Sequence, residues 1–285
     1  MRLKILAIPV TTIALLLTHH ATQTLHALLL APQWLVASAS AEEPKPVRRL
    51  RETRECPKCN LRGANLENTY LRNASLRRAN LSNANLRSAD LSGAYLSDAN
   101  LRGTNLRGAD LRGADLHNAD LRGAELKNTK INDKTVLTQK WRLVWEIVNQ
   151  PVEGQNLSQA DLEGANLSSG NLRNLNLEGA NLQGANLSST NLRNANLSGT
   201  NLREADLFIA DLRDANLSKA DLRNANLSSA DLRKADLRDA NLRDANLRDT
   251  DLSCTNLKGA TLSENKLTGA NLCGTTMPDG SQHGC

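Results

Sequence analysis

Residues 205–252 read ADLFIADLRDANLSKADLRNANLSSADLRKADLRDANLRDANLRDTDL. A Leu recurs at every fifth position from Leu207 to Leu252. A small residue, Ala or once Thr250, stands two places before each, and Asp or Asn stands one place before. In an α-helix five residues advance about 500°, so successive Leu would step roughly 140° and face every direction. In a strand five is odd, so successive Leu would alternate faces. Neither element buries this stripe. A chain that bends once per repeat does. Each five-residue unit becomes one side of a coil, and every Leu, at position i, points inward beside the small residue at i−2. Positions i−1, i+1 and i+2 then face water. Asn and Asp at i−1 suit a bend, because their short side chains bond nearby backbone groups. Gly at i+2, as in Gly103, Gly108 and Gly113, suits the corner.

Outward from this tract the phase holds in two blocks, residues 59–133 and 155–274, with 39 units in all and a single Ile at the inward position, Ile131. The motif A(D/N)LXX resembles the pentapeptide-repeat family, and in particular its exported, cyanobacterial-type members. That resemblance implies an all-β solenoid, a right-handed quadrilateral β-helix in which four units close a coil of 20 residues. Coils then stack at about 4.8 Å, as strands do, and each contacts only its neighbours. Thr replaces Ala at Thr69, Thr104 and Thr129, adding a hydroxyl that can bond backbone. Gly170 and Leu175 occupy consecutive i−2 slots, a volume swap within one coil.

Residues 1–41 read as an export signal. Arg2 and Lys4 precede the apolar run Ile5–Leu17, and Ala39-Ser40-Ala41 is a small-residue cleavage site, placing the cut after Ala41. A second apolar run, Leu25–Val36, gives the rival reading of a retained membrane anchor; each run is shorter than the roughly 20 apolar residues a span needs. Residues 42–58 read as a charged linker ending in Cys56-Pro-Lys-Cys59. Cys59 stands in the i−2 slot of the first unit. The CxxC motif admits a redox or metal role, but no further zinc ligands lie nearby and the βαβ context of thioredoxin-like sites is absent. A capping disulfide between Cys56 and Cys59 fits an oxidising compartment. The CxxC-(D/N)-L opening is also similar to that of exported cyanobacterial family members.

Residues 134–154 break the register: Ile131 to Leu157 is 26 residues, one more than five units. Leu137, Trp141, Val144, Trp145 and Val148 follow helical spacing. Thr138 suits the start of a helix, and Asn149 and Pro151 its end. This helical insert either docks on the coil or offers Trp141 and Trp145 to a partner. In block two Phe208 and Ile209 project outward at i+1 and i+2 and form a second candidate contact surface. Arginines at i+1 align at spacing 20: Arg173, Arg193, Arg213 and Arg233 on one side, and Arg203, Arg223 and Arg243 on another. They read as an anion-binding face or as a solvated face compensated by Asp211, Asp214, Asp221 and Asp244. Residues 275–285 form a C-terminal cap or tail. Asn265 is polar at an inward slot, so the core fades there. Cys254 and Cys273 project outward; Cys273, His283 and Cys285 form a weak set of metal ligands.

The chain has a net charge of +5 and aromatics at 2%, without the concentrated basic patch that nucleic-acid binding wants. Only His117 and His283 lie outside the leader. No nucleophile–base pair, phosphate loop or metal cluster stands out, so the sequence implies no enzyme, no cofactor, no metal site and no small-molecule substrate. The expectation is an exported, non-enzymatic scaffold or protein-interaction module in the periplasm or thylakoid lumen, with an unidentified protein partner. A tethered spacer, touching membrane only if the leader is retained, is the alternative. The family also contains DNA mimics that bind topoisomerases; those resemble an acidic cytosolic rod, which this slightly basic chain with a leader does not.

Overall fold

The computed structural model describes residues 43–263 and 267–285. The leader with its cleavage after Ala41, and the inward slot of Asn265, lie outside the described residues. Residues Lys45–Cys285 form one compact unit.

Backbone pairing between coils runs in steps of 20 residues. Asn156 bridges Asn176, which bridges Asn196, then Asn216, all in parallel sense. Four five-residue sides therefore make each coil. Side a carries Leu162, Leu182, Leu202 and Leu222; side b Leu167, Leu187 and Leu207; side c Leu172, Leu192 and Leu212; side d Leu157, Leu177 and Leu197. The i+2 residue of nearly every unit has φ near +60°, and there the chain turns. A corner every five residues leaves only one or two residues per side extended. Most contacts are accordingly single bridges at i−1, and a two-residue pairing joins β1 (Asn241–Leu242) and β2 (Thr261–Leu262).

The interior is a column of Leu and Ala. Leu187, Leu207 and Leu227 are fully buried, as are Ala185, Ala205 and Ala225 beside them. Burying each Leu is worth roughly 1.5–3 kcal/mol. Where Thr replaces Ala the hydroxyl is satisfied inside: Thr104 Oγ1 donates to Leu81 O at 2.8 Å and Thr255 Oγ1 to Leu232 O at 2.7 Å. At i−1 the Asn or Asp Oδ1 accepts from the backbone N–H two residues on, as Asn196 does from Ser198 at 3.2 Å. The carboxamides also chain from coil to coil, Asn216 Nδ2 to Asn196 Oδ1 at 3.2 Å and Asn196 Nδ2 to Asn176 Oδ1 at 3.0 Å.

The segment read as a charged linker is instead a helix, α1 (Lys45–Thr53). Val47 and Leu50 are three apart and share the face that is buried over the first coil. Charged neighbours masked this pair in the sequence, and Pro46 is tolerated in a first turn. The first coil also begins earlier than Cys59. Glu55 already bridges Ser75, and Cys56, five before Leu61, fills an inward Leu slot and is fully buried.

The extra residue of the register break sits in a turn. Asp110 bridges Lys130 at the regular spacing, but Asp115 bridges Val136. Thr135 then takes an Ala slot, with its Oγ1 donating to Leu111 O at 3.0 Å, and Val152 is buried on side c. Between them α2 (Gln139–Asn149) replaces sides a and b of one coil. At about 1.5 Å per residue it cuts the corner rather than following it. The flanking coils meet at the bypassed corner, where Gly123 N donates to Gly164 O at 2.7 Å. Gly164 has φ +64°, and a Cβ there would fall 2.8 Å from Arg122 Cγ.

Candidate partner-binding surface

The surface is built by i−1, i+1 and i+2. Its charge follows a two-letter rule at i−1. In all six Asp-Leu-Arg units the Arg at i+1 folds back on its own Asp: Nε donates to Oδ1 at 2.8–2.9 Å in Arg112–Asp110, Arg122–Asp120, Arg213–Asp211, Arg223–Asp221, Arg233–Asp231 and Arg238–Asp236. The hydrogen bond from Arg holds Asp110, Asp120, Asp211, Asp221 and Asp236 below the usual carboxylate range, against burial that pushes them up. At Asp231 burial is the largest single influence and pushes upward, but the bonds from Arg233 outweigh it. Where i−1 is Asn no carboxylate is offered, and Arg193 and Arg203 each leave a buried Nε without a partner. The aligned arginines are thus clipped where Asp precedes Leu, and lack that clip where Asn does.

At the bypassed corner a trough of about 610 Å³ runs along side a across both blocks. Gly103, Gly123, Gly164 and Gly184 line it, with Arg102 and Arg122 toward block one and Glu163 and Glu204 toward block two. Asp120 holds both arginines, Arg122 in a clip and Arg102 at 3.7 Å.

Side b of block two is a different surface. Over residues 168–229 its i+1 and i+2 columns read Ser168, Ser188, Phe208, Ser228 and Ser169, Ser189, Ile209, Ser229, before Arg248 and Asp249 follow in the next coil. Phe208 is 40% and Ile209 51% exposed, in the middle of a serine face. Ile209 holds φ +56° at the corner where Ser189 and Ser229 hold +55° and +57°. A β-branched residue is a genuine outlier there.

Helix α2 packs inward. Trp141, Val144 and Ile147 are buried, while Trp145 and Val148 are half-buried at the edge. The apolar stripe is thus rotated toward Ile147 relative to the spacing read from the sequence, and Thr138 starts the helix without a side-chain cap bond. Polar groups of α2 and the preceding turn meet the open edge of block one. Trp145 Nε1 donates to Thr129 O at 3.0 Å, and Asn149 Nδ2 to Leu126 O at 3.0 Å. Lys140 lies over the Trp141 ring and pairs with Asp161 at 3.1 Å.

Cys56 and Cys59 are joined in a disulfide at the N-terminal end, Cα atoms 5.3 Å apart. A second disulfide joins Cys273 to Cys285, and Cys254 is free and exposed. Cys273 and Cys285 are therefore not ligands beside His283, and no group of residues suited to a metal ion occurs among the described residues. This pairing was not legible, because Cys285 follows a turn that brings it back on the last coil. The clips were legible in principle, as Asp-Leu-Arg against Asn-Leu-Arg.

A family model described as pentapeptide repeats matches in 8 copies, over residues 59–98, 94–133, 153–184, 171–207, 210–244 and 240–277. The chain belongs to the pentapeptide repeat family. Known structures of pentapeptide repeat proteins are right-handed β-helices. Among solved structures the chain is similar to HetL of the cyanobacterium Nostoc sp. strain PCC 7120, a pentapeptide repeat protein involved in heterocyst differentiation regulation. The two share 34% identity over 83% of this chain and 97% of that one, with a TM-score of 0.38. A pentapeptide repeat protein of the cyanobacterium Cyanothece 51142 is 30% identical over 60% of this chain and 95% of its own, at TM-score 0.25. One from the thylakoid lumen of Arabidopsis thaliana is 28% identical over 44% and 66%, at TM-score 0.14. No curated protein matches the chain.

Proposed function

We propose that this pentapeptide repeat protein is an exported, non-enzymatic scaffold that binds a protein partner through side b of block two. The observation that carries the reading is the Phe208–Ile209 pair. Serine occupies the same corner one coil above and one below, so the coil does not require apolar residues there. Ile209 in the left-handed region costs on the order of 1–2 kcal/mol, and neither residue is buried in return. Exposed aromatic and aliphatic side chains on an otherwise polar surface suit the centre of a protein contact. Arginines clipped by their own aspartates are spent within the surface, which supports a scaffold over a reactive site. Export to a periplasm or thylakoid lumen rests on the leader and on the two disulfides, which persist in oxidising compartments.

The test compares wild type with Phe208→Ser/Ile209→Ser, which restores the neighbouring columns' residues. Both are used as bait in the exported fraction of the source cells. A protein retained by wild type and lost by the folded double variant supports the reading. Identical captured sets for the two sink it.

A further inference from the structure

Three cysteines converge where the last two coils meet the returning tail. Cys254 and Cys273 lie on side c in neighbouring coils, and Cys254 N donates to Cys273 O at 2.8 Å. The residue above Cys254 in its column is Gly274, which has no side chain. Cys254 Sγ leans into that space, 3.5 Å from where a Cβ on Gly274 would stand. Beside it Cys273 is bonded to Cys285. Neighbouring strands lie about 4.7–4.9 Å apart, so residues bonded across them fall within reach of a disulfide's roughly 4.4–6.8 Å Cα span. A free, exposed thiol therefore adjoins an existing disulfide.

That disulfide clamps a cap. The chain turns at Pro278–Gly280 and returns antiparallel, with Gln282 bridging Thr276. Gly274 N donates to His283 O at 3.0 Å and His283 N to Thr275 O at 2.8 Å. The returning segment thus occupies edge groups of the last coil, and Cys285 pins it.

We propose that Cys254, Cys273 and Cys285 form an intrachain thiol–disulfide exchange site that releases the cap. The Cys254 thiolate attacks Cys273 Sγ. A Cys254–Cys273 bond forms, the Cys273–Cys285 bond breaks, and Cys285 leaves as a thiolate that takes up the proton Cys254 gave up. No net oxidation occurs, so no external oxidant or reductant is needed. The product disulfide staples two coils of side c, while the returning segment keeps only its hydrogen bonds.

The test uses the full oxidised chain, incubated without reductant at mildly alkaline pH and then blocked with N-ethylmaleimide. Disulfides are mapped by mass spectrometry after non-reducing digestion. Wild type is expected to accumulate label on Cys285 together with a Cys254–Cys273 linked peptide, and Cys254→Ser to lose both. Cys285 unlabelled in wild type, labelled equally in Cys254→Ser, or replaced by label on Cys273 overturns the proposal.

Discussion

Asn149 Oδ1 accepts a hydrogen bond from the backbone N–H of Asn128 at 2.6 Å. Its Nδ2 donates to Leu126 O on the same side of the coil. One carboxamide thus stands in for the backbone of the coil that α2 replaced. Asn149→Ala leaves both backbone groups without these partners, which costs roughly 1–3 kcal/mol for each such group that stays dry. Chemical denaturation should show that loss, and Asn149→Asp, which keeps the acceptor and removes the donor, should fall between. An unchanged midpoint for the Ala variant contradicts this role.

Trp141 and Trp145 report the docking of α2. With Trp34 of the leader replaced by Phe, their emission should be blue-shifted and shielded from iodide, Trp141 more than Trp145, since the first is buried and the second half-buried. Trp141→Ala should cost about 3–5 kcal/mol. Most of block two far from the seam should survive it, because coils contact only neighbours. Free quenching of both rings would show that α2 is not docked in solution.

Ile209→Asn removes a β-branched residue from φ +56° and installs one that tolerates it. Thermal unfolding should shift upward, by the equivalent of about 1 kcal/mol. A native protein made more stable by losing an exposed side chain is what a surface kept for contact predicts. A downward shift would mean that Ile209 contributes packing.

The clips set an acid dependence. Asp211, Asp221, Asp231 and Asp236 have carboxyls held below their ordinary value in the fold. Such groups stabilise fully above the unfolded carboxylate pKa of about 4, and that contribution is lost as pH falls toward the lowered folded value. Urea midpoints should be flat above that window and decline within it. Replacing the four by Asn should flatten the decline, with a small effect near neutrality because the pairs are partly exposed and screened by solvent. An undiminished acid slope in the fourfold variant argues that other carboxylates control it.

The sequence carried the interior because the constraint there is strict. Period five with Leu207, Leu212 and Leu217 in phase admits one large inward residue per side beside the small one at i−2, and a coil interior leaves little room for exceptions. What lies at the ends obeys looser rules. Val47 and Leu50 are two apolar residues among charges, too few for a periodic signal, so α1 was invisible. Cys56 was readable as an inward residue simply by stepping back five from Leu61. The pairing of Cys273 with Cys285 depends on the path of a turn, which spacing does not give. On the surface, Phe208 and Ile209 stood out against the repeat, but the strain at Ile209 appears only once i+2 is known to be left-handed. The bypassed corner and its trough follow from how α2 crosses the coil, which the one-residue slip signalled without locating.

The most direct measurement compares thermal unfolding of Leu212→Lys and Arg213→Ser. Leu212 is 0% exposed inside the stack, and Arg213, one residue on, lies at the surface. Leu212→Lys loses roughly 1.5–3 kcal/mol of burial and places an unpaired charge in the interior, so cooperative folding should fail or melt far lower. Arg213→Ser should stay within about 0.5 kcal/mol of wild type. Equal shifts for the two variants would contradict a coil that turns every five residues with Leu inward.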